Sequence, residues 1–164
     1  MTKEPKLLSR AIDVAFNWDN FINHINVGIK GTTDQPNSDI RVNGVRFWDR
    51  LTVTTDYATE DIFAGLSGIS NALNMTGSAF KTVMSVVSLT TAEKTTGRHF
   101  DNDDVVYLQC IGSVMWTVWY GGTSVDFTLN PGDAIYVPAL LEHHVQSLSP
   151  RAALSFIYEP EKGE

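Results

Sequence analysis

The chain has 164 residues, an ordinary globular composition and a net charge of −7. That length suits one domain with a full core, and the negative charge argues against a polyanionic partner, since nucleic acid or an anionic membrane surface wants a basic patch. A single cysteine, Cys110, excludes an internal disulfide, and no apolar run approaches membrane-spanning length. Arg10 and Asp13 interrupt the stretch after the first residues, so no signal peptide is expected, and the expected location is cytoplasmic.

Residues 1–30 are mixed in pattern. Asn17 is suited to cap a short helix with Trp18, Phe21, Ile22 and Ile25 on one apolar face; His24 lies near that face and reads as structural. Residues 31–39 are a loop by composition and able to close over a site. Residues 40–54 carry Val42, Val45, Phe47, Leu51 and Val53 around an Asn43-Gly44 turn signal, which predicts a hairpin or a lead-in strand, with Trp48 in the core. Residues 59–75 read as an amphipathic helix. Thr59 caps it, Glu60 and Asp61 occupy its first turn, Ile62, Phe63, Leu66, Ile69 and Leu73 form its apolar face, and Gly77 ends it.

From residue 80 the pattern changes to short β-rich runs, at about 82–90, 104–111, 113–119, 124–129, 133–137, 143–148 and 152–158. Gly121-Gly122, Asn130-Pro131-Gly132 and Ser149-Pro150 punctuate them. Many short strands with Gly/Pro turns predict a mainly β sandwich or barrel. Residues 1–79 are then a short α-helical N-terminal region with a hairpin and lid, and residues 80–158 the barrel, in one domain. Cys110 falls within an apolar run and reads as a packing residue.

Three of the four histidines sit in two segments of this β region: His99, and the pair His143-His144. His99 and Asp101 are two apart, so on a strand both side chains reach the same face and one ion. A second strand must supply a third ligand. Pro131-Gly132-Asp133 turns into the run before His143-His144, and from the residues alone either histidine of the pair serves. Two imidazoles and a carboxylate suit Fe(II) and leave a face open for other ligands; the same set accepts manganese, nickel or zinc.

Gly97-Arg98-His99-Phe100-Asp101, then Gln109 and Gly112, then Leu129-Asn130-Pro131-Gly132-Asp133-Ala134-Ile135-Tyr136-Val137-Pro138, and finally His143-His144-Val145-Gln146-Ser147-Leu148, resemble the JmjC-type cupins. These are Fe(II)- and 2-oxoglutarate-dependent oxygenases. The likeness is to the asparaginyl- and ribosome-hydroxylase branch, in which Pro-x4-His-His-(Ile/Val)-x-Ser-Leu also occurs, and it covers about residues 80–158. It implies a cupin double-stranded β-helix, or jelly-roll. It implies His99, Asp101 and His143 as catalytic metal ligands, with His144 structural. It implies 2-oxoglutarate as co-substrate and a peptide side chain or small metabolite as substrate.

The branch places a Lys or Arg two residues after the glycine that matches Gly112, to bind the far carboxylate of 2-oxoglutarate. Here that residue is Val114. Arg151, which opens the last strand, is the expected replacement, with Ser155 at the same parity; Thr96 matches a position that hydrogen-bonds the co-substrate. Lys81, Lys94 and Arg98 are weaker cation candidates. The departure at Val114 leaves two alternatives to the oxygenase. One is a metal-dependent cupin of another class, such as an isomerase, a lyase or a 2-oxoglutarate-independent dioxygenase. The other is a non-catalytic binding module.

Overall fold

A computed structural model of the chain describes residues 4–12, 16–19, 21–22, 40–42, 45–48, 52–55, 80–89 and 97–158. Eleven strands run through them. The first four are β1 (Lys6–Leu8), β2 (Ile40–Val42), β3 (Val45–Trp48) and β4 (Thr52–Thr55). The rest are β5 (Phe80–Ser88), β6 (Asp104–Ile111), β7 (Val114–Tyr120), β8 (Thr123–Leu129), β9 (Ala134–Val137), β10 (His143–Ser147) and β11 (Arg151–Tyr158). The seven strands expected from residue 80 onward all form, with ends within two residues of those read from the sequence.

Two antiparallel sheets face each other. The larger has eight strands in the order β1-β9-β6-β11-β5-β4-β3-β2, and the smaller has three in the order β10-β7-β8. Consecutive strands thus alternate between layers: β6 lies in the large sheet, β7 and β8 in the small, β9 in the large, β10 in the small and β11 in the large. This alternation is a jelly-roll. β2 pairs with β3 so that Val42 faces Val45, the register of a two-residue hairpin.

The core has two parts, one on each face of the large sheet. Val105, Tyr107, Ile135, Val137 and Ala153 point into the barrel and meet Val114, Trp116, Val118, Leu129 and Val145 of the small sheet. Val106, Leu108, Cys110, Ala152, Leu154 and Phe156 point the other way and are covered by Ile12 and Phe21. β6 is therefore buried on both faces, which is why it reads as an unbroken apolar run rather than an alternation. Cys110 is buried and its thiol is pushed up by that burial, as fits a packing residue.

Trp18, Asp19, Phe21 and Ile22 are helical, as Asn17 and the spacing predict. The face differs in one place. Phe21 is fully buried against the large sheet, but Ile22, the next residue round the helix, is half exposed. The expected loop at 31–39, the helix at 59–75 and His24 lie outside the described residues. Among the described residues no helix is long and apolar enough to cross a membrane.

Two turns meet at one end of the barrel. The Ser113 amide donates to Ser149 Oγ at 2.9 Å, and the Leu148 amide to the Ser113 carbonyl at 3.0 Å. Gly112 makes this contact possible. Its φ is +71°, and a Cβ there would stand 2.1 Å from the Pro150 carbonyl oxygen. Gly112→Ala combines a left-handed backbone with a clash against main chain. We expect it to cost at least ~2 kcal/mol, read as a lower midpoint in urea denaturation with no change in slope.

Candidate metal centre

His143 opens β10, and the alternation along that strand turns His143, Val145 and Ser147 into the barrel and His144 and Gln146 away from it. His99 is joined to β10 by an isolated antiparallel bridge. Its amide donates to the His143 carbonyl at 3.0 Å, and the His143 amide donates back at 2.7 Å. Asp101 lies two residues further on, and its carbonyl accepts from the Leu140 amide at 2.8 Å. Main-chain bonds thus hold all three residues at the mouth of the barrel.

Donor atoms of His99, Asp101 and His143 lie within 4.8 Å of one another, and His143 Nε2 is 3.5 Å from Asp101 Oδ2. The two rings are 4.4 Å apart. His99 Nδ1 is 2.9 Å from the Gly97 carbonyl and His143 Nδ1 is 3.0 Å from the Leu141 carbonyl. A carbonyl only accepts, so each Nδ1 carries the proton and each Nε2 presents its lone pair. Burial holds the His143 imidazole below its usual value, outweighing the opposing pull of the Leu141 carbonyl. The result is two imidazoles and a carboxylate directed at one point, a donor set that fits a divalent transition metal. Asp101 is 43% exposed at the side chain, so the point opens to solvent. A cleft of about 550 Å³ walled by Glu4, Asp104, Tyr120, Pro138, Ala139 and Leu141 includes none of the three donor residues, and touches the centre only through Leu141, whose carbonyl accepts from His143 Nδ1.

Further into the barrel stands Arg151, 2% exposed. Its Nε donates to Ser147 Oγ at 2.7 Å and one terminal nitrogen donates to the Tyr107 hydroxyl. The Tyr107 hydroxyl in turn donates to Gln109 Oε1 at 3.3 Å, and Gln109 Nε2 is tied to the Ile111 and Gly112 carbonyls at 2.7 and 3.0 Å. Burial, opposed by Arg151, pushes the Tyr107 phenol up to about 12, so it stays neutral. Arg151 is therefore a buried cation whose partners are hydroxyls, and no ion pair to a carboxylate is present among the described residues. A buried unpaired charge is costly, so this one is suited to receiving an anion.

Ser147 explains how Arg151 relates to Val114. Ser147 pairs with Val114 across the β10–β7 ladder. The Arg151 side chain thus arrives beside the position where the sequence pattern leads one to expect a cation from β7. Ser155 shares the inward face of β11 but lies four residues along, about 13 Å, and the guanidinium bonds Ser147 and Tyr107 instead. Tyr107 pairs with Ser155 across the ladder, and its length carries the hydroxyl to Arg151. Arg98 is committed elsewhere, ion-paired with Glu142 and 4.0 Å over the Trp119 ring. Thr96 and Lys94, and the side chain of Lys81, lie outside the described residues. Ser147 carries a signal in the sequence, as the polar residue at inward parity four places after His143; Tyr107 and Trp116, like Trp119 and Tyr136, read from sequence as strand aromatics able to line the pocket, with core packing the favoured reading of each.

No family model matches the chain, and no curated protein matches it in sequence. Solved structures do. The Escherichia coli ribosomal oxygenase YcfD, in complex with cobalt and 2-oxoglutarate, aligns over 96% of this chain and 48% of its own, at TM-score 0.61 and 15% identity. An oxidoreductase of the 2OG-Fe(II) oxygenase family from Burkholderia pseudomallei aligns over 97% and 85%, at TM-score 0.59 and 13% identity. The fold is a cupin double-stranded β-helix. This chain spans about half the length of the Escherichia coli protein.

If Arg151 is kept for an anion rather than for stability, an apolar side chain of similar length should be tolerated. Arg151→Met is expected to melt at or above the wild-type temperature in ligand-free protein, by calorimetry. A drop of several degrees would mean that the guanidinium is a structural member of the core.

Proposed function

We propose that the protein is an Fe(II)- and 2-oxoglutarate-dependent oxygenase acting on a peptide side chain or small metabolite. One observation carries this reading: a two-histidine, one-carboxylate triad at the mouth of a cupin barrel, with a buried, carboxylate-free arginine from β11 bonded to Ser147, deeper on the inward face of the strand that carries His143. His143 and Ser147 are four strand residues apart, about 13 Å, room for a five-carbon dicarboxylate between a metal and the guanidinium.

Bound together, iron and 2-oxoglutarate would activate dioxygen, the co-substrate giving up two electrons and carbon dioxide to become succinate with one oxygen atom, and the other oxygen atom going to the substrate. The protein's part is placement. His99, Asp101 and His143 would hold the metal from one side, their orientation set by the Gly97 and Leu141 carbonyls. Arg151, Ser147 and Tyr107 would take the far carboxylate through charge-assisted hydrogen bonds. Trp116, Val118, Val145 and Ala153 pack in the apolar core between the two sheets and would exclude water from the co-substrate. The substrate would approach from the open side, where Phe100 and Leu140 are each more than half exposed. Leu140 holds a left-handed φ of +64°, strain of the kind that gathers at working sites. That YcfD is a ribosomal oxygenase favours a peptide side chain over a metabolite.

Anaerobic Fe(II) with 2-oxoglutarate should give a visible charge-transfer band. His143→Ala should abolish metal uptake, with a loss of at least ~100-fold in affinity, whereas His144→Ala should retain it. Metal binding without the band would turn the reading to a cupin enzyme of another class, and no metal uptake to a binding module. Separately, Arg151→Met should weaken 2-oxoglutarate by about 100-fold, the scale of a lost charge-assisted pair, and leave metal affinity unchanged. Equal 2-oxoglutarate affinity in the variant would remove Arg151 from the site.

A further inference from the structure

Trp116 sits on the inner face of β7, opposite Val145 and so midway between His143 and Ser147. It is 3% exposed. Its ring stacks on the His143 imidazole, with centroids 5.0 Å apart and planes at 28°, and meets the Tyr107 ring edge-on at 4.9 Å. One neighbour is thus a residue of the metal triad and the other a partner of Arg151. Among the described residues its Nε1 is the buried side-chain polar atom without a hydrogen-bond partner. Buried donors are rarely left unpaired, and one that is calls for a ligand or water. Packing alone does not account for it, since phenylalanine would fill an apolar wall without a stranded N–H. Nor can the ring readily swing to find a partner, because His143 and Tyr107 hold it from two sides.

We infer that the Trp116 indole N–H donates a hydrogen bond to an oxygen of the ligand lying between the metal triad and Arg151, which makes Trp116 a co-substrate-binding residue. The inference rests on the oxygenase reading above, and names a donor that the reading does not need. A keto-acid spanning that gap must pass the indole, since the ring occupies the depth between its two anchors. The bond selects for an acceptor at mid-depth: an apolar chain of equal length would leave the N–H stranded.

The test uses Zn(II)-loaded full-length protein, which is diamagnetic and inert to turnover. The indole N–H resonances of the four tryptophans are followed by proton–nitrogen NMR while 2-oxoglutarate is added. The Trp116 signal, identified by its loss in Trp116→Phe, should move downfield and become protected from solvent exchange. If that variant does not fold, single Phe replacements of Trp18, Trp48 and Trp119 identify it by elimination. By calorimetry Trp116→Phe should weaken 2-oxoglutarate by about tenfold with Zn(II) affinity unchanged. If 2-oxoglutarate binds the wild type while the Trp116 signal stays put, the inference fails and the oxygenase reading stands. If metal-loaded wild type takes up no 2-oxoglutarate, both fall.

Discussion

Two main-chain hydrogen bonds carry much of this protein's organisation, those exchanged between His99 and His143. They join segments 44 residues apart in sequence and set the separation of two imidazoles without drawing on either side chain. The Leu140 amide bound to the Asp101 carbonyl fixes the carboxylate in the same way. The side chains are thus left with their metal-facing atoms unspent. Their Nδ1 protons go to backbone carbonyls, and burial holds the His143 imidazole below its usual value. A site built on main-chain pairing is held by the sheet itself, so its precision comes from the fold rather than from side-chain packing.

The inside of the barrel follows from the same strand. β10 turns His143, Val145 and Ser147 inward, and β7 lays Val118, Trp116 and Val114 against them. Depth in the barrel is therefore read directly from sequence position: the candidate metal triad at the mouth, an aromatic at the middle, and a hydroxyl with a cation at the base. Gly112 and the turn around Pro150 close that base and deliver Arg151 into it. The cation reaches the barrel base from β11 rather than from β7, one strand in place of another at the same depth. Both routes end beside the Val114–Ser147 pair, which is why a valine at 114 does not empty the base of positive charge.

The expectations from sequence divide along physical lines. Strand existence was legible because a period of two and Gly/Pro turns are local signals, and the seven strands after residue 80 were placed almost to the residue. The His99 and Asp101 pair was legible from its spacing, but the expected strand is absent: His99 forms an isolated bridge to β10, and Asp101 follows it outside any strand, held by the Leu140 amide. Ile22 was misplaced because helical spacing alone cannot say which face is buried without knowing what it packs against. Ser155 was favoured as the arginine's companion because parity alone says which face a residue takes, not how far along it a long side chain reaches. The hydroxyls that in fact touch Arg151 come from β6 and β10, strands remote in sequence from β11.

By itself, then, the sequence determined the class of fold, the change of period at residue 80, and a pair of residues able to share an ion. These rest on interactions within one strand or one turn, and a local pattern suffices to state them. The tertiary structure decided which histidine of the His143-His144 pair faces inward, by setting the register of β10 on β7. It decided that Arg151 is buried without a carboxylate, and that Trp116 stands between the triad and that cation with its N–H unpaired. Each of these depends on which strand lies beside which. That is a property of the closed barrel, where residues far apart in the chain become neighbours across two facing sheets.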